Sequence, residues 1–428
     1  MTDEQRALTA HLFRRAGFGA RKADLDAFEG RDYTAAVEAM VNPDSKNRDA
    51  PNVVTQQAGG LSTPALSTIQ EAWLQTMVNS RAPLVERMTL FLSNHFATAY
   101  DPSAHVDIAA LLDQQTTIRK FALGSFADLA RAMIDDKALA CYLNNDRNDK
   151  TKPNENLARE LMELFILGTG NYSEADVRET ARALTGYTLV TPAFGQRPKL
   201  TYDKSRHDDG PKTILGVTAN FTPHSVLELF LSQPAARQHL AEKLVAHFVA
   251  PTPDASLVSA VAAALAPDWQ LSKALRTIFY SAQFRAAGAR QSLAKTPAEY
   301  VVGIMRALGR TEYNEGNNAV SAAGQMLFRP PSVAGWPLGV RMLGPGAMLA
   351  RYNAASTFGR NHAKNPSAVA PSGPELVPLI EAFGMTSLSQ PTLDALNAYS
   401  DATMQQPAPV RTAGIITLLA SSPEFNLA

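Results

Sequence analysis

Between Asn144 and Tyr187 the chain reads NNDRNDKTKPNENLARELMELFILGTGNYSEADVRETARALTGY, and nowhere else are so many carboxylate, guanidinium and amide side chains threaded through an apolar pattern. Glu155, Arg159 and Glu163 recur at four-residue steps along one helix edge, and Glu160 widens that edge. Glu174, Arg178 and Arg182 form a second ladder on a second helix. Crowded carboxylates raise one another's pKa and suit acid–base work, whereas guanidinium groups hold anions.

A second group of this kind is RHDDGPKTILG, where His207, Asp208 and Lys212 crowd into a loop punctuated by Gly210-Pro211. A third is His95, placed in the apolar run PLVERMTLFLSNHFATAY, where Glu86, Arg87, Asn94 and His95 are the polar residues that need partners. Taken together these residues describe a pocket. His95, Glu155, Glu160, Glu163, His207 and Asp208 supply acid, base or metal-ligating groups. Asn154, Asn156, Arg159, Arg178, Arg182 and Lys212 bind an anionic substrate such as a phosphate or sulfate ester. A divalent cation held by the Glu and His side chains is compatible with this set, although no HExxH-type spacing is present. The competing reading is a non-catalytic scaffold, in which the ladders are internal ion pairs and His95 is a satisfied core residue. The two differ in one observable: side chains converging on an open cleft, or side chains mutually satisfied and closed off.

These residues need helices to position them. Pro153 suits an opening turn, with Asn154 or Thr151 as cap, and Gly168 suits a stop. Ser173 with Asp176 three residues on makes an approximate capping box for the second helix, which ends at Gly186. Leu157, Leu161, Leu164, Phe165 and Leu167 face the core.

Around this pair the chain is helical almost throughout, with a period change only at Tyr187–Val190, Lys199–Tyr202 and Thr213–Leu215, which read as short strands. The expectation is a mainly α fold, a compact multi-helical body with a small β-hairpin insert. Its parts are an N-terminal helical lobe over 1–185, the β insert with its HDDGPK loop over 186–216, and a C-terminal helical lobe over 217–428. Residues 42–63 read as a polar loop. His247, among Leu244, Val245 and Phe248, reads as core. Trp336, in the proline- and glycine-rich GQMLFRPPSVAGWPLG, reads as a plug over the core more readily than as a pocket wall. SAQF at 281–284 and SPEF at 422–425 close their helices in the same register, a weak sign of an internal repeat.

Forty basic and forty acidic residues in 428 give no net charge, so no global field favours nucleic acid or anionic membrane. A single cysteine, Cys141, excludes an internal disulfide and any cysteine-built zinc or iron–sulfur site. No apolar run approaches the ~20 residues of a transmembrane helix. The N-terminal stretch has no apolar signal core, which implies the cytoplasm.

The segments ERMTLFLSNHFATA, PNENLARELMELFILGTGNYSEADVRETARALTGY, HDDGPKTILG, KLVAHFVAPTP, KTPAEYVVG and GQMLFRPPSVAGWPLG occur in this order. By these segments the chain resembles the bacterial family catalogued as domain of unknown function 1800, from about His11 to the C-terminus. The resemblance implies a largely helical protein. It also implies a partner resembling alkaline phosphatases and sulfatases encoded nearby, and a periplasmic or exported location as the alternative to the cytoplasm. The chain departs from the family's usual pattern at Leu92-Ser93, where Trp-His is expected before Asn-His-Phe, so a metal site using two histidines of that segment would lack one here.

Overall fold

The computed structural model describes residues 2–48, 64–191 and 197–428. The greater part of the polar loop expected over 42–63 lies outside the described residues; its beginning holds a short helix, Ser45–Arg48. The architecture is mainly α, with two small antiparallel hairpins inserted between the central helix pair and the C-terminal helices. No described helix is long and apolar enough to cross a membrane.

Local signals account for many of the helix starts. Ser173 and Asp176 form the reciprocal capping box expected of them, and so do Thr296 and Glu299 ahead of the helix Pro297–Leu308. The first central helix differs from expectation. It starts at Asn156, three residues after Pro153, because Asn148 Oδ1 takes the Asn154 N–H at 2.8 Å and Asn154 Oδ1 takes the Asn156 N–H at 2.9 Å, which holds 153–155 as a turn. Its second half, Leu161–Ile166, is a π-helix, with the Leu167 N–H reaching back to Met162 O at 3.1 Å.

In the insert, Tyr187–Val190 pairs with Lys199–Tyr202 as the alternation indicates. The third strand runs Lys212–Ile214, one residue earlier than expected, and pairs with Val217–Ala219, a strand the sequence reading missed. The turn between them has Leu215 and Gly216 both at positive φ, the geometry of a two-residue hairpin. The Leu215 N–H donates to Asp176 Oδ1 at 2.7 Å, so the capping carboxylate of the second central helix also anchors this hairpin.

The core consists of two apolar clusters that interleave along the sequence. One gathers residues from Ala10 to Phe284, including the central helix pair. The other joins Ile69–Val78 and Val106–Leu112 to Ala298–Phe425, with Cys141 buried in it. The helix Pro83–His95 passes between them and is buried over most of its surface. The two helix endings noted in the sequence share one geometry: Ser281 Oγ accepts from Phe284 N and donates to Ile278 O, and Ser422 Oγ does the same with Phe425 N and Leu419 O.

Candidate functional site

The structure places the residues singled out from the sequence in three separate environments. On the central pair, Arg159 bridges Glu155 of its own helix at 3.1 Å and Glu174 of the next at 2.8 Å. All three are at least a third exposed, so solvent screening leaves the pairs little weight in stability. Asn156 and Arg178 are exposed. Glu163 accepts from Tyr172 Oη at 3.2 Å, and Glu160 is half-buried, its pKa raised by burial and then by the Glu163 charge.

The HDDGPK loop forms the second environment. Arg182 donates to both oxygens of Asp208, at 2.7 and 3.2 Å, and to Glu179 at 2.6 Å. Asp208 is held below the usual carboxylate range by that guanidinium. Lys212 is buried and spends its ammonium on the carbonyls of Asp208 and, at 2.9 Å, Gly210. His207 Nδ1 lies 2.9 Å from Thr185 O. The four residues are therefore brought together, and each has a partner, His207 in Thr185 and the others in or beside the loop.

His95 occupies the third, with two residues the sequence reading did not select. The π turn ends in carbonyls with no intrahelical donor, and side chains fill the gap: His95 Nε2 on Phe165 O at 2.9 Å, Lys243 Nζ on Leu164 O at 2.6 Å, and His239 Nε2 on Leu164 O at 3.0 Å. Lys243 also lies 3.2 Å from His95 Nδ1. Burial pushes Lys243 down to about 8, and burial followed by the Lys243 charge holds His95 well below the ordinary imidazole value. A cation and two imidazoles thus cap the negative end of a helix. Among the described residues no three His, Cys, Asp or Glu side chains cluster in a way that could hold a metal ion.

The most concentrated buried charge lies elsewhere, around a cavity of about 220 Å³. Its walls include Arg15, Arg87, His247, Thr296 and Glu299, with Leu338, Gly339 and Arg341 at one side. Each wall residue is delivered by a separate element. Arg15 comes from the last turn of Asp3–Ala16, Arg87 from Pro83–His95, His247 from Pro234–Phe248, and Glu299 from the first turn of Pro297–Leu308. Arg87 is ion-paired to Glu299, and its Nη2 lies 3.3 Å from His247 Nε2. Arg15 reaches past the cavity to Ala289 O at 2.5 Å and Ser292 Oγ at 2.8 Å. Arg341 is exposed and makes no ion pair or hydrogen bond among the described residues.

Behind these walls stand Arg14, Lys295 and Arg351, all buried. Arg14 donates to Gly384 O at 3.1 Å, and Arg351 to Lys295 O at 2.6 Å and Asn426 Oδ1 at 3.1 Å. Lys295 Nζ sits 3.9 Å from the centre of the Phe425 ring. Carbonyls satisfy these donors without cancelling their charge, and the carboxylate that acts on Arg15, Lys295 and Arg351 alike is Glu299. Positive charge is accordingly in excess. Burial, reinforced by neighbouring cations, brings Arg14 to about 10, Arg15 to about 9 and Lys295 to about 7. Burial and the Arg87 charge bring His247 to about 3, so its imidazole is neutral at any physiological pH. Such an arrangement, with Ala428 also in the wall, can take up an anion and present to it guanidinium N–H donors, a neutral imidazole and the Glu299 carboxylate.

A largely helical body with a small β insert and a buried arginine pocket is the class of protein the coordinates define. The chain belongs to the family described as Protein of unknown function (DUF1800), which it matches over residues 11–427. No curated protein and no solved structure matches it.

Four of the six family segments reach the pocket. ERMTLFLSNHFATA supplies Arg87, KLVAHFVAPTP supplies His247 and Pro251, KTPAEYVVG supplies Thr296 and Glu299, and GQMLFRPPSVAGWPLG supplies Leu338 and Gly339. Sequence reasoning named Arg87 as a residue in need of a partner but took His247 as core, and it did not select Glu299 as a site residue. The signal available was an isolated ionisable residue among apolar ones, as with His247 beside Leu244, Val245 and Phe248.

Proposed function

We propose that this protein binds a small anionic ligand in the pocket walled by Arg15, Arg87, His247 and Glu299, with Arg341 at its open side. The single observation that carries this reading is the imbalance of buried charge: Arg15, Arg87, Lys295 and Arg351 share one buried carboxylate, Glu299, and Arg14 adds a further buried cation. Burying cations without counter-charge is costly, and an anion in the adjoining cavity offsets that cost. A phosphate or sulfate ester fits the donor set. The test is thermal unfolding of the full chain with and without millimolar sulfate, phosphate and acetate, repeated with Arg87→Met and Arg341→Ala. Protection by a tetrahedral anion that Arg341→Ala weakens supports the site; no protection by any of the three at constant ionic strength rejects it.

A second reading rests on a different observation. Leu338, Val340, Leu349 and Tyr352 are exposed large apolar side chains on the stretch 338–352, and Val340 is 80 % exposed. A patch of this kind suits a protein partner, as for an accessory subunit of a phosphatase- or sulfatase-like enzyme. Co-purification of such a partner, lost in Val340→Glu, is the measurement that separates it from an isolated binding protein.

A further inference from the structure

Which tetrahedral anion the pocket takes is decided by the residue that opposes binding. Glu299 is a poor choice for a site that holds a fully ionised oxyanion, because its carboxylate stands in the wall among the cations that would attract the ligand. It is fixed there from two sides. One oxygen is paired with Arg87, and the other accepts the Thr296 N–H at 3.3 Å as part of the capping box. Burial alone would favour its neutral form, but the Arg87 charge, with the hydrogen bonds from Arg87 and Thr296, outweighs burial and keeps its pKa below the ordinary glutamate value, so the group is a carboxylate.

A carboxylate can only accept hydrogen bonds. Beside a bound anion it is therefore repulsive, unless the anion itself carries a proton to donate. Sulfate carries none at neutral pH. Inorganic phosphate always carries one, and a phosphate monoester carries one below its second pKa of about 6. We infer that Glu299 makes this pocket selective for a protonated phosphate oxyanion over sulfate, by accepting a hydrogen bond from the phosphate hydroxyl while Arg15 and Arg87 hold its charged oxygens. The inference rests on the anion-site reading above. It narrows that reading from tetrahedral anions in general to phosphate, either free or as a monoester in its singly protonated form.

The experiment is isothermal titration of the full-length protein with inorganic phosphate, sulfate and methyl phosphate at pH 6.0 and constant ionic strength, on the wild type and on Glu299→Gln. Glutamine can serve in the capping box, so the helix start is retained. The expected result is phosphate binding at least about tenfold tighter than sulfate in the wild type, a gap of about 1.4 kcal/mol. In Glu299→Gln that ratio falls to within about threefold because sulfate gains, its oxygens now meeting an amide donor in place of a negative charge. Methyl phosphate that matches inorganic phosphate assigns an ester, and clearly weaker binding assigns the free ion. Equal wild-type affinities for phosphate and sulfate, or a ratio unchanged by Glu299→Gln, overturn the inference while leaving the anion site standing. No heat and no competition from any of the three removes the site itself. The wild-type ratio needs no substitution, so the first arm is decisive even where the variant folds poorly.

Discussion

Asn94 holds the Trp336 backbone at both its polar atoms: Oδ1 accepts the Trp336 N–H at 2.7 Å and Nδ2 donates to Trp336 O at 3.4 Å. Gly335 makes the approach feasible. It has φ +80, and a Cβ there would lie 2.2 Å from Asn94 Oδ1. The contact joins two distant segments and fixes the course of the chain just before Leu338 and Gly339, which line the arginine-walled pocket. Asn94→Ala is expected to cost about 1–3 kcal/mol by leaving the Trp336 N–H without its acceptor. Gly335→Ala is expected to cost about 1–3 kcal/mol or more from strain and overlap. Because Asn94 is the group a Cβ would strike, the double variant should be less destabilised than the sum, and urea unfolding of the four proteins reads this directly.

Arg87→Ala should be among the most damaging single changes. It leaves Glu299 buried without its partner, for which about 3–5 kcal/mol is the expected loss. Arg159→Ala, which breaks two exposed bridges to Glu155 and Glu174, should leave stability nearly unchanged. Chemical denaturation of both variants tests the contrast, and similar losses would contradict it.

Lys295 gives a pH signature. Its folded pKa, about 7, lies below its ordinary value of 10.5, so between these pH values the unfolded chain binds more protons than the folded one. The lysine therefore opposes folding most strongly below pH 7, and stability should rise as the pH increases from 7 toward 10. Lys295→Met should flatten that rise. Denaturation midpoints at pH 7 and pH 9, compared between the wild type and the variant, measure it.

Lys243→Met should loosen the end of the π turn. Leu164 O would keep only His239 as donor, and the expected cost is about 1–2 kcal/mol. Hydrogen exchange should show the loss concentrated at residues 164–168.

Much of the fold is legible in the sequence because caps and periodicity act locally. Thr296, Ser173 and Asp176 do what their spacing indicates, and Tyr187–Val190 and Lys199–Tyr202 pair as expected. Each polar residue marked in the apolar helix Pro83–His95 has a partner: Glu86 takes Arg119, Arg87 takes Glu299, Asn94 takes Trp336, and His95 takes Phe165 O. Which partner each would take was not legible, because Arg87 and Glu299 lie 212 positions apart and nothing local points one to the other. The π turn was hidden for a related reason: its carbonyls are served by His95, His239 and Lys243 from other helices. A dense run of charges within one segment drew the sequence reading, whereas the pocket is assembled from single charges scattered over five segments.

The interleaved core has a consequence for how the protein is made. The helix Leu66–Asn79, with Trp73 and Met77, packs on Pro297–Leu308 and Tyr313–Ala322, some 230 residues further along the chain. At about 5–20 residues per second, a ribosome needs roughly 10 to 50 s to deliver those partners. Throughout that interval the part of the early helix's apolar face that these two helices cover stays exposed. The nascent chain is therefore a client for chaperones that shield exposed apolar surface until the second cluster closes.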